Sequence, residues 1–321
     1  MPKKSARLKR GWKHTQKDKR DWKKTRLALI VLVSLALILV VGQSIRFTKI
    51  LLNPWNSESI KRGYHWNATF NLNLVIKAKD ISLISYNPVE KKVTIVSLPD
   101  SVYLDVPYGL GKWQLRSVFA LGETEGKSGG RLLSQTLSLF FGLPIDGFLE
   151  FRGDLSQKDT FELMEDFRQN PLKWASVLRQ IKSDLTLWEI LRFGVNLSSV
   201  RFDKVVKIDL VRLNLLEAEL LADSEQVFIF DPIKLDSALQ EFADERILKE
   251  HLSISIFNAT DKPLLAQRAK RIITNLGGNV IATSNSQRKL KRSYVAGEES
   301  KTFQRLLQIF DSGCSYDPKC D

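Results

Sequence analysis

Histidine and cysteine are nearly missing from these 321 residues: three His (His14, His65, His251) and two Cys (Cys314, Cys320). That scarcity removes most zinc centres and most His-based acid–base chemistry. No Gly-x-Ser-x-Gly elbow occurs, and His65 and His251 stand beside no nucleophile, so no Ser/His/Asp hydrolase signature is visible. Gly and Pro number 17 and 10, too few for a collagenous or low-complexity chain. Acidic charge is scarce at one end only. Residues 1–26 hold twelve Lys/Arg against Asp18 and Asp21, a net of +10 out of +13. The remaining chain, with 37 basic and 34 acidic residues, is nearly neutral. The length suggests about two folded domains at roughly 100–200 residues each.

One long hydrophobic run is present. Between Arg26 and Arg46 lie nineteen uncharged residues, 27–45. At about 1.5 Å per residue they span roughly 28 Å, close to a bilayer's hydrocarbon core of about 30 Å. No small-residue cleavage site follows, so the run is expected to be an uncleaved anchor. The basic flank places the N-terminus in the cytoplasm and the body outside. Trp55, Tyr64 and Trp66 then fit either the outer membrane interface or a core. Lys/Arg interleaved with Trp12 and Trp22 has a nucleic-acid reading. A tail facing lipid headgroups is preferred, and no nucleic-acid partner is expected. In an external compartment Cys314 and Cys320 are expected to form a short-loop disulfide.

Along the body, LNLVI (72–76), ISLISY (81–86) and VTIVSL (93–98) predict strands, the last two joined by an NP turn. WQLRSVFALGE predicts a helix. Another starts at Ser128-Gly-Gly, carries Leu132, Leu133, Leu137 and Phe140 on one face, and stops at Gly142 and Pro144. Strands are expected at 144–151, 205–210 and 226–230, and helices at 159–169, 173–182 and 186–194. Asp236 is expected to cap a helix running to about 250. From His251 a strand, a helix ending at Gly277-Gly278, the strands NVIA and SYVAG, and a helix over 299–310 compose a smaller α/β unit.

GETEGKS (122–128) imitates a phosphate-binding loop, but the first Gly of that pattern is Leu121. Glu123 and Glu125 also put carboxylates where phosphate would sit. No nucleotide partner is expected.

Residues 77–123, with the order strand, NP turn, strand, S-L-P, Y-x-x-V loop and helix, lead into GGRLLSQTLSLFFGLPIDGFLEF. This order resembles the LytR-CpsA-Psr family of envelope phosphotransferases over about 70–155, and loosely over 183–245. The stretch from LSISIFNAT to NVIATSNS resembles the LytR C-terminal domain, with Ala259 and Asn279 departing from its pattern. The resemblance implies transfer of a glycan from a polyprenyl-pyrophosphate lipid to peptidoglycan, with Mg²⁺ as cofactor and Arg clamps on phosphate. On that alignment Asp80 falls on a metal-side carboxylate. Asp100 replaces the motif's Arg, and Ser101 its second Asp. Arg116 and Arg131 are the candidates for phosphate or lipid binding. The family's later Arg-rich block has no counterpart.

The expected fold class is α/β: a transmembrane helix, a larger domain with a mixed sheet, and a smaller C-terminal α/β domain. The expected divisions are tail 1–26, anchor 27–45, linker 46–69, LytR-CpsA-Psr-like domain 70–247 and LytR C-terminal-like domain 248–321. The expected function is that of a single-pass envelope protein, a degenerate relative of glycopolymer transferases. It would bind envelope glycan, peptidoglycan or polyprenyl-pyrophosphate precursor, or scaffold other enzymes. The alternative is an active Mg²⁺-dependent transferase.

Overall fold

The computed structural model describes residues 22, 26–43, 64–171, 174, 177–220 and 226–312. Two compact units, Met1–Pro54 and Trp55–Asp321, divide the chain. In the first, α1 (Arg26–Gln43) is an 18-residue helix of mean hydropathy 2.4, long and apolar enough to cross a membrane. Trp55, Cys314 and Cys320, with the expected disulfide, lie outside the described residues.

The second unit is mixed α/β. Its main sheet takes β1 (Leu72–Lys77), β2 (Ile81–Asn87), β3 (Lys92–Leu98), β6 (Gly147–Phe151), β7 (Ile181–Ser183) and β8 (Val205–Asp209) in the order β7-β6-β1-β2-β3-β8. β1 and β3 are antiparallel to β2, while β6 runs parallel to β1 and β8 parallel to β3. Between β2 and β3, Asn87 Oδ1 accepts from the amides of Val89 and Glu90, the Asx turn that its sequence favours.

Helices cover both faces, which is why β1, β2 and β3 are almost continuous apolar runs. Alternation along β1 divides the core. Val75 joins Leu83, Val96 and Phe148 under α2 (Leu115–Thr124) and α3 (Gly129–Phe141). Leu72, Leu74 and Ile76 join Ile84, Ile95 and Leu149 under α4 (Thr160–Gln169) and α5 (Leu187–Ser198). On that second face an aromatic series runs Trp66, Tyr86, Phe193, Trp174, Phe167, Phe151, with centroids 4.2–6.1 Å apart. Trp66 is therefore a core residue, not an interfacial one; burying a large apolar side chain contributes roughly 1.5–3 kcal/mol.

Small hairpins flank the sheet: β4 (Tyr103–Val106) with β5 (Gly111–Gln114), and β9 (Leu216–Leu220) with β10 (Gln226–Phe230). The helices α6 (Pro232–Ala238) and α7 (Glu245–Glu250) follow. The chain then forms β11 (Ser253–Asn258), α8 (Leu265–Asn275), β12 (Asn279–Asn285) parallel to β11, and α9 (Lys301–Ile309).

Three expectations need correction. The 173–182 helix ends early: Leu178–Gln180 is a 3-10 turn and Ile181–Ser183 is edge strand β7, because pairing with β6 outweighs local propensity. Residues 293–297 form no strand. Asp236 caps no helix; it takes a bidentate ion pair from Arg271, and Asp244 caps α7 instead.

Arg271 and Asn275, both on α8, also donate to the carbonyls of Leu139, Phe140 and Phe141 at the end of α3. They satisfy orphan acceptors where α3 stops at Gly142, whose φ of +59° suits glycine. On α9, Arg305 is fully buried. Its Nη2 lies 3.2 Å from Asp146 Oδ1 and donates to the Asn71 carbonyl, and its Nη1 donates to Tyr64 Oη. Tyr64 in turn donates to Asp146, whose other oxygen accepts from the Asn73 amide. Burial pushes the Tyr64 hydroxyl well above its ordinary range, and Asp146 adds to this. For Arg305 burial works against the charge, but Asp146 and Tyr64 outweigh it and hold the guanidinium protonated.

Candidate functional site

Strands β1, β6, β3 and β8 all run the same way, so their C-terminal ends share one edge of the sheet. Ligands of open α/β sheets bind outside that edge. The loops leaving it carry Asp80, Asp100, Ser101 and Arg152.

Asp80 sits in the β1–β2 turn, half-buried. Its Oδ1 accepts from the Thr160 amide at 2.7 Å and the Thr160 hydroxyl at 2.9 Å. Its Oδ2 accepts from the Ser82 hydroxyl at 2.5 Å. The carboxylate thus anchors the first turn of α4, where orphan N–H groups and the helix dipole favour an anion. An ionised carboxylate has about four lone-pair sites, and three donors already use three of them. Mg²⁺ needs near-octahedral oxygen ligands including one or two carboxylates. Among the described residues no group of three His, Cys, Asp or Glu side chains could hold a metal. Both Asp80 oxygens are thus engaged within the chain.

Asp100 is exposed in a turn closed by the Val102 amide on the Pro99 carbonyl. Its own carbonyl accepts from the Arg116 amide at 3.1 Å, and Ser101's from the Phe228 amide at 3.2 Å. Asp100 and Arg116 are thus neighbours through the backbone at the start of α2. The Arg116 and Arg131 side chains are exposed on α2 and α3.

The closest charge cluster at this edge was not anticipated from the sequence. Lys77, Glu150 and Lys182 are register partners across β1, β6 and β7. Lys77 Nζ lies 3.1 Å from Glu150 Oε1, and Arg152 Nη2 lies 3.1 Å from Glu150 Oε2. Lys182 Nζ lies 3.2 Å from Glu123 Oε1, which also accepts from the Gly129 amide at 2.8 Å. The Gly129 amide, with help from Lys182 and against burial, holds the Glu123 carboxyl below the usual carboxylate range. Lys77 Nζ stands 4.1 Å from the Phe119 ring centroid, and Lys182 Nζ 6.0 Å. The sequence signal for Lys77 and Glu150 was a single charge at or near the end of an otherwise apolar strand, as in LVIK and GFLEF.

Three cations thus face two carboxylates. The N-terminus of α3, an anion site by its N–H groups that lack intrahelical acceptors, is filled by the chain's own Glu123. A cleft of about 240 Å³ opens elsewhere, lined by Leu104, Phe140, Phe230 and Arg271. Another of about 300 Å³ is lined by Tyr64, Pro144, Asp146, Ile272 and Phe310. Neither includes the charge cluster.

No protein-family model matches the sequence, and no curated protein matches it. Among solved structures, TagT of Bacillus subtilis is similar at 15% identity and TM-score 0.41, over 59% of this chain and 96% of TagT. A LytR-CPS2A-Psr family protein, YwtF (TagT), with bound octaprenyl pyrophosphate lipid is similar at 16% identity and TM-score 0.40, over 57% and 94%. Lin1025 of Listeria innocua is similar at 15% identity and TM-score 0.41, over 54% and 96%. The structural neighbours thus include members of the family whose motif order the sequence resembles at residues 70–155.

Proposed function

We propose that this chain is a membrane-anchored, extracytoplasmic envelope protein. In this reading it is a degenerate relative of the LytR-CpsA-Psr transferases, which binds envelope glycan or its polyprenyl-pyrophosphate precursor, or scaffolds active enzymes. The apolar helix with its +10 flank supports the anchor and the orientation. The observation that carries the loss of transfer is the occupancy of the sheet edge. Asp80 is spent on Thr160 and Ser82, while Glu150 and Glu123 answer Lys77, Arg152 and Lys182. Phosphoryl transfer depends on cations aimed at developing charge, and here internal carboxylates take that place.

One positive charge remains in excess in the cluster, which supports weak pyrophosphate binding and keeps the active-transferase reading as the rival. The test is binding of a polyprenyl pyrophosphate to the full chain, with and without Mg²⁺, alongside a transfer assay. Weak binding independent of Mg²⁺, with no transfer, is expected. Robust Mg²⁺-dependent transfer that Asp80→Asn abolishes would establish the rival.

A further inference from the structure

Charge is unevenly divided within the body. Residues 64–250 hold 22 basic and 27 acidic residues, whereas residues 251–312 hold ten basic and four acidic. Much of this excess lies in two loops at the C-terminal ends of β11 and β12. The loops are tied together: the Ser286 amide donates to the Asn258 carbonyl and the Leu290 amide to the Ala259 carbonyl, both at 2.9 Å. The first loop is folded on itself. Asn258 Oδ1 accepts from the Thr260 amide and hydroxyl, and Asn258 Nδ2 donates to the Lys262 carbonyl. The platform is therefore ordered before any partner arrives, which lowers the entropy cost of binding.

Lys262, Arg288, Lys289, Lys291 and Arg292 project from these loops into solvent. Asp261, paired with Lys289, is the one acidic residue in either loop. Apolar side chains stand exposed on the strands and loop that carry them: Phe257 on β11 is 62% exposed, Ile281 on β12 62%, and Tyr294 in the second loop 53%. A soluble polyanion would satisfy the cations and leave an exposed isoleucine in water. An anionic bilayer satisfies both, with headgroups meeting Lys/Arg and the interface taking apolar and aromatic side chains.

We propose that loops 258–262 and 286–294, with Phe257, Ile281 and Tyr294, are a docking patch for an anionic lipid surface. The proposal rests on the membrane-anchored reading above and adds a second contact with the bilayer.

The test is hydrogen exchange of the full chain in vesicles of phosphatidylglycerol with phosphatidylcholine, or of phosphatidylcholine alone. Alkaline extraction of the same samples reads the anchor separately; if the chain is extracted, the comparison is made with vesicles added to it. Slowed exchange of 255–262 and 286–294 in the anionic vesicles only, reversed by salt, is expected. Neutralising Lys289, Lys291 and Arg292 together to Gln should shift the docked-to-free ratio by roughly a hundredfold, at about fivefold per cation. Phe257→Ser with Ile281→Ser should weaken protection with the charges intact. Unchanged exchange in anionic vesicles would overturn the proposal. So would equal protection by soluble polyphosphate over neutral vesicles, which would make the patch a polyanion site.

Discussion

At Asp80 a single side chain shows how position and role separate. The resemblance led us to expect a metal-side carboxylate here, and in the structure its oxygens accept from Thr160 and Ser82. Asp80→Ala should therefore cost stability whether or not any metal is bound, by about 0.5–2 kcal/mol, the range for losing a helix-end acceptor. Asp80→Asn, which keeps an acceptor for the Thr160 amide, should cost less. Urea denaturation of both variants checks this; equal stability of wild type and Asp80→Ala would return the carboxylate to a purely functional role. Arg305 is the second such residue. Removing it takes the guanidinium away from the buried Asp146, and breaking a buried pair costs about 3–5 kcal/mol. Arg305→Met should lose stability on that scale. Lys234→Ala, at the exposed Lys234–Glu217 pair, should show no measurable change.

Among the elements, the corner between α2 and α3 meets the sheet edge at Lys182. Glu123 closes it from the end of α2, and its depressed pKa is a stability statement. The folded state holds the carboxylate ionised more strongly than the unfolded chain does. Its contribution is present above the unfolded carboxylate range and fades as pH falls through the lower folded value. Glu123→Gln should lower stability at neutral pH and flatten the acid limb of a stability–pH profile, so that variant and wild type converge at low pH. An unaltered acid limb would remove Glu123 from the corner's electrostatics. Gly130 sets the packing of the same corner. A Cβ there would lie 2.3–2.5 Å from the buried Phe148 ring, so Gly130→Ala should push α3 off the sheet and lower the melting temperature.

For the whole body, the ties at Arg271 and Arg305 bear on cooperativity. Residues 248–321 were expected as a separate domain, and their described part lies within the compact unit Trp55–Asp321. Two buried or half-buried guanidinium networks tie α8 and α9 to α3, β1 and Asp146. Thermal unfolding of the body should proceed as one transition, and Arg271→Ala together with Arg305→Met should split it in two. Two transitions in the wild type would show that 251–312 folds independently.

What local sequence could decide, it decided through periodicity and end signals. The apolar runs of β1 to β3, the Leu face of α3 with Gly142 behind it, and the uncharged run of α1 all depend on neighbours within a few residues. The charge cluster, the use of Asp80 and the partner of Asp236 depended on contacts across 35 to 80 residues. Lys77, Glu150 and Lys182 meet only because β6 lies between β1 and β7, and no local pattern encodes that order. Strand 181–183 carries too few residues for a period and became a strand by pairing with β6. Fold class was thus written in local hydrophobic patterning, whereas the charges that meet one another, and so the chemistry open to the site, were decided by tertiary packing.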